Sequence, residues 1–211
     1  RRAIELNPEE GRYRYHLADA YRSQRKLDEA TEIIDQLIEE ETEHLMVYLM
    51  KGDLLLAQGE ERRGVRFIEE LYETHPESAE VKALLVHAYQ LYAYTEAKAG
   101  RLSRAIKSLE SALELKPNDP ESLASMGSFH YEAGDFAEAE KAYTQVLAEH
   151  PSYFDVYGLY ATLLHFQDRK SEAQDLFRKA IAVAREVGAE SAVKHFTNQL
   201  ATARKSAQPA Q

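Results

Sequence analysis

The sequence predicts an all-α chain of helical hairpins stacked in series. Three observations carry that reading. Prolines recur in phase: Pro117 and Pro151 lie 34 residues apart, and Pro8 and Pro76 lie two such periods apart, with Thr42 in the slot between. Small and large apolar residues recur at fixed offsets within each period, at the three- and four-residue spacing of a helix face. No strand-forming segment appears. A chain of this kind buries the apolar face of each unit only against its neighbours, so it presents a long surface in place of one enclosed pocket.

Taken in order, residues 1–10 (RRAIELNPEE) read as the end of a repeat whose first part lies upstream. Residues 11–44 form the first full unit, with Leu17, Ala18, Tyr21, Leu27, Ala30, Ile34 and Leu37 in phase, and residues 45–78 the second, with Tyr48, Gly52, Leu55, Gly59, Gly64, Ile68 and Leu71. Residues 79–119 are a unit with seven extra residues placed before Gly100. Residues 120–153 carry Met126, Gly127, Gly134, Phe136, Ala139 and Tyr143, and residues 154–187 carry Tyr157, Tyr160, Ala161, Leu164, Ala173, Phe177 and Ala180. The small residues let helices approach closely, the large ones fill the space between, and prolines open the next unit because they cannot continue a helix. Mid-unit glycines suit a left-handed helix end. Residues 188–206 place Ala189, Ala192, Val193, Phe196, Leu200 and Ala203 on one face and polar residues on the other, as a capping helix should. Residues 207–211 read as a disordered tail.

The seven extra residues equal about two helical turns. Since residues 102–115 look ordinary in length, the expectation is a bulged connection, or one extra turn on each helix with a bend near Tyr94. Either gives a projecting tip around Tyr92 to Arg101.

Length and spacing together resemble the tetratricopeptide repeat family, whose pattern asks for a large and a small apolar residue, a turn glycine, an alanine, an aromatic and a proline at these offsets. His130 and Arg185 depart from the pattern without removing a packing role. The resemblance implies a right-handed superhelix (an α-solenoid) whose first helices line a concave groove that holds another polypeptide. Members that grip a chaperone's terminal carboxylate use groove lysines, arginines and asparagines. Here Asn7, Asn118 and Asn198 fall outside the groove positions and only Arg12 and Arg22 supply cations, so a carboxylate clamp is not expected.

Composition narrows the function further. The chain of 211 residues has 36 acidic and 26 basic side chains, a net charge of −10, and no cysteine. An acidic balance argues against a nucleic-acid partner, and without cysteine there is no disulfide or thiolate chemistry. No membrane span or leader is visible, and the compartment stays open between cytoplasm and periplasm. The eight histidines form no ligand pair with a helper acid, and neither a phosphate loop nor a nucleophile elbow appears. The expectation is a non-catalytic protein without metal or cofactor. The run Glu39-Glu40-Glu41 with Glu43 reads as a solvated edge.

Removing the packing positions from each first helix leaves the candidate groove. Its residues are Tyr15, His16, Asp19, Arg22, Met46, Leu49, Met50, Asp53, Leu56, Leu84, His87, Leu91, Ser128, Glu132, Leu159, Thr162 and Phe166. The middle is apolar and acids dot the same face, which suits an apolar or basic peptide or helix of a protein partner. The alternatives are a self-associating scaffold (a homo-oligomer) and the partner-recruiting arm of a larger enzyme or assembly.

Overall fold

The computed structural model describes residues 8–40 and 43–205. The expected tail at 207–211, most of the expected repeat end at 1–10, and Glu41 and Thr42 lie outside the described residues. Among the described residues there are eleven helices and no strand. They are α1 (Pro8–Ser23), α2 (Leu27–Glu39), α3 (Leu45–Ala57), α4 (Glu61–Thr74), α5 (Ala79–Lys98), α6 (Leu102–Leu115), α7 (Pro120–Ala133), α8 (Phe136–Glu149), α9 (Asp155–Phe166), α10 (Lys170–Glu186) and α11 (Glu190–Lys205). The chain divides into two compact units, residues 1–99 with α1–α5 and residues 100–211 with α6–α11. Within each, successive helices pack side by side in chain order, as in a solenoid.

Each hairpin turns in the same way. A residue one or two positions past the end of the first helix takes a positive φ: 62° at Arg25, 76° at Gly59, 85° at Gly134 and 58° at Asp168. The next amide then donates to the carbonyl five residues back, Lys26 to Tyr21 at 3.0 Å and Asp135 to His130 at 2.8 Å. This closes the orphan carbonyls at the helix end. Helix starts are fixed more selectively. The Ser78 hydroxyl accepts from the Val81 amide at 3.2 Å, and the Asp119 carboxylate accepts from the Ser122 amide at 2.9 Å, ahead of Pro120 at the first turn of α7.

In the first unit Ala18, Ala30, Ile34, Leu37, Val47, Met50 and Leu54 form one core cluster. Close approach is set by small residues. A Cβ on Gly52 would lie 2.8 Å from Ile68 Cγ1, and one on Gly64 would lie 2.7 Å from Leu56 Cδ2. The second unit's core runs from Leu123 through Tyr143 and Tyr157 to Phe196 and Leu200. Phe196 of α11 sits among Phe154, Tyr157 and Phe177 with ring centroids 5.8–6.2 Å apart. That aromatic seat is how α11 covers the apolar face left by α9 and α10.

The seven extra residues are distributed differently from both expectations. α5 has 20 residues against 13 in α3, while α6 has 14, the length of α4 and α8. The first helix takes the whole insertion and runs unbroken through Tyr94. Tyr94 is exposed, but Ala93 and Glu96 beside it are buried, so this stretch is a helical turn and not a loop tip. The boundary between the two units falls one residue past its end, between Ala99 and Gly100.

Candidate functional site

On the first unit, the expected groove residues fall into three groups. Asp19, Arg22 and Asp53 are tied to one another. Arg22 Nη1 donates to Asp53 at 2.6 Å and Nη2 to Asp19 at 2.9 Å, linking α1 to α3. The hydrogen bond to Asp19, joined by the one to Asp53, outweighs burial and raises the Arg22 pKa. Beside them the half-buried Tyr15 ring meets the exposed His16 edge-on at 5.7 Å. The Tyr15 hydroxyl is pushed up by burial first and by Asp19 second. Arg22 is therefore committed to its own neighbours.

The second group corrects the sequence reading. Met50 and Leu56, assigned to the open face, are each only 6% exposed. Met50 belongs to the core cluster, and Leu56 fills the space opened by Gly64. A first helix is flanked by its own partner and by the preceding unit, so two of its faces are buried and a simple subtraction leaves too much over. Leu84 is half-buried, its Cδ2 lying 3.2 Å from where a Gly52 Cβ would stand, and Leu49 and Leu91 are half-buried as well. The third group, Met46 and His87, is exposed. The apolar middle expected on this unit is mostly packing.

The second unit offers a better surface. Ser128 is half-buried and donates to the Ala124 carbonyl at 3.1 Å, so it is a packing residue of α7. Leu159 and Phe166 are 39% and 64% exposed. With Thr162, exposed and donating to the Gly158 carbonyl at 2.9 Å, they lie three and four residues apart on one face of α9. Two cavities of about 440 and about 500 Å³ adjoin along the seam between α9 and α11. Gly158 and His195 line both, with His165, Gln199 and Thr202 in the first and Asp155, Leu159 and Ser191 in the second. Nothing lies within 4 Å of where a Gly158 Cβ would stand, so this glycine leaves open space instead of a helix contact.

Beyond the seam, Phe166 meets Tyr131 at 6.0 Å and Phe136 at 5.1 Å, and those two rings are 5.8 Å apart. Glu132 follows Tyr131 and is exposed. Periodicity alone does not show the α11 wall, because Gln199 falls on the polar face of that helix, nor does it show that the half-buried Phe136 reaches the edge beside Phe166. A glycine at a free-face position of α9 was the available signal for the seam.

A buttress of ion pairs and hydrogen bonds joins α8, α9 and the start of α10. Arg169 donates to Glu140 at 2.6 and 2.8 Å and to Glu172 at 2.8 Å, and the Tyr160 hydroxyl donates to Glu140 at 2.6 Å. Arg169 first, with Tyr160, holds the Glu140 carboxyl below its usual range against the opposing effect of burial. Among the described residues, no group of three or more histidine or carboxylate side chains could hold a metal, and no helix is long and apolar enough to cross a membrane.

An all-α stack of helical hairpins with an open seam between α9 and α11 defines a helical repeat protein. Family models described as Tetratricopeptide repeat match residues 1–43, 96–142 and 130–200, and the chain belongs to that family. Its fold is that of a protein–protein interaction module. Among curated proteins, cellulose synthase operon protein C of Komagataeibacter sucrofermentans is 30% identical over 98 residues, and that of Komagataeibacter xylinus is 37% identical over 62. These stretches cover 42% and 29% of this chain but only 7% and 5% of those proteins' lengths.

Three solved structures are similar in fold. The C-terminal part of a TPR repeat-containing protein from Cytophaga hutchinsonii has a TM-score of 0.69 at 16% identity, over 97% of this chain and 80% of that one. A MamA structure has a TM-score of 0.63 at 16% identity, over 85% and 94%. YrrB, described as a TPR protein with an unusual peptide-binding site, has a TM-score of 0.57 at 19% identity, over 93% and 96%.

Proposed function

We propose that this protein is a non-catalytic interaction module that seats an extended apolar segment of a partner polypeptide along the seam between α9 and α11. One observation carries the reading: two adjoining cavities, rimmed by the exposed Leu159, run beside a glycine with open space above it. Cavities of this size take side chains of an extended strand and not a helix, which is about 10 Å across.

Gly158→Leu tests the reading. It fills the seam, meets no neighbour at the Cβ, and replaces glycine with a better helix former. Binding to peptides selected from a displayed random library should fall while helicity by circular dichroism is retained. Undiminished binding by a folded Gly158→Leu variant would overturn it.

Self-association is a second reading with one observation of its own. Tyr13 and Leu17 of α1 are exposed on the face that the repeat expected upstream would cover, whereas Val47 and Val81, which occupy the Tyr13 position in the next units, are buried. Sedimentation of Tyr13→Glu/Leu17→Glu beside the parent decides it: a concentration-dependent mass that the variant loses supports self-association, and a strictly monomeric parent rejects it.

A further inference from the structure

We infer that the aromatic edge formed by the half-buried Tyr131 and Phe136 and the exposed Phe166 is a binding site for one lysine or arginine side chain of the partner segment. The inference rests on the seam reading above and adds the chemistry of one residue of the occupant.

Three rings from three consecutive helices converge here, at centroid separations of 5.1, 5.8 and 6.0 Å in tilted and edge-on arrangements. Phe166 ends α9 and remains mostly exposed although it touches two other rings. An exposed ring keeps a face available, and that face carries the negative lobe of the aromatic quadrupole, which attracts a cation within about 6 Å.

Acidic side chains adjoin the cluster, and the nearby lysines and arginines are paired within the chain. Glu132 and Asp135, both exposed, adjoin Tyr131 and Phe136 in the chain. Neither α7 nor α9 contains a lysine or arginine, while Glu121, Glu132 and Asp155 lie on them, and the one lysine of α8, Lys141, is paired with Glu138 at 3.3 Å. The cations of the adjoining turn are already engaged, Arg169 by Glu140 and Glu172, and Lys170 by Asp168 at 3.0 Å. With a net charge of −10 over the chain, a basic side chain is also favoured in the encounter.

The register of the occupant follows from α9. Leu159, Thr162 and Phe166 share one face, and seven residues of helix advance about 10 Å. An extended chain covers that distance in about three residues. A partner residue seated at Leu159 is therefore about three positions from the side chain that reaches Phe166.

The test is a selection of short random peptides displayed on phage, panned against the full chain, followed by calorimetry with the selected peptides as probes. Expected are peptides bearing Lys or Arg about three positions from a large apolar residue. Their affinity should fall about tenfold with Phe166→Ala or with Glu132→Lys/Asp135→Lys, and should fall as salt rises. Peptides that lose binding to Gly158→Leu but show no basic preference would leave the seam standing and overturn this inference. An unchanged affinity for Phe166→Ala would overturn it too, and a selection that enriches nothing would overturn both readings.

Discussion

Gly127 shows how narrow the tolerances are at single residues. A Cβ there would lie 2.5 Å from Cε1 of Tyr143, a ring that is almost wholly buried. Alanine favours helix over glycine by about 1 kcal/mol, yet forcing the ring aside costs about 1–3 kcal/mol. Gly127→Ala should therefore lower the denaturation midpoint, and Tyr143→Leu in the same chain should recover part of the loss. Arg25 works in the opposite sense. It holds φ at 62° in a turn where Gly59 and Gly134 carry no Cβ, so Arg25→Gly should stabilise by about 0.5 kcal/mol, read as a raised midpoint. Asp119 links a residue to pH. Burial pushes its carboxyl up, but the Lys116 ammonium and the Ser122 amide and hydroxyl outweigh it and hold the pKa below the ordinary value. A depressed carboxylate contributes stability above its unfolded pKa of about 3.9 and loses it as pH falls. The gap in melting temperature between the parent and Asp119→Ala should thus be present at neutral pH and close below about pH 4.

At the scale of elements, the joint between α8, α9 and α10 depends on Arg169. Its partners Glu140 and Glu172 are partly exposed, which places the interaction between the small worth of surface pairs and the larger cost of breaking buried ones. Arg169→Met should cost about 1–2 kcal/mol by urea denaturation, with little loss of helical signal. The capping helix depends on fewer atoms. Phe196 is the residue of α11 that enters the aromatic seat of Phe154, Tyr157 and Phe177. Phe196→Ala should cost about 3–5 kcal/mol. If it also abolishes peptide binding while α1–α10 stay folded, then α11 is a wall of the site as well as a cap.

For the molecule as a whole, the division between Ala99 and Gly100 has a consequence for binding. The seam, the aromatic edge and the buttress all lie in the second unit, and the first unit spends most of its expected groove residues on its own packing. Residues 100–211 expressed alone should give a helical spectrum and bind the same selected peptides as the full chain. A folded fragment that fails to bind would place an essential part of the site in residues 1–99.

Repeat length, hairpin turns, the in-phase small residues and the capping helix were legible in the sequence because each depends on local spacing. Ala30, Gly64, Ala139 and Ala173 recur at one offset, and a helix must put residues of that spacing on one side. Which further residues of a first helix are buried was not legible. Val47, Val81, Ser122 and Val156 share one position, and Leu54, Ala88, Phe129 and Leu163 another, and all are buried. Periodicity within one helix says which residues share a face but not how many neighbouring helices cover it. For the same reason Met50 and Leu56 went to the core while Leu159 and Phe166 stayed at the surface, although all four hold groove positions in the repeat. The sequence alone determined the family, the repeats and the helix pairs. Only the tertiary structure decided that the insertion lengthens α5, that the chain parts after it, and that the open seam lies between α9 and α11, because burial is set by what packs across a helix and not by the order of residues along it.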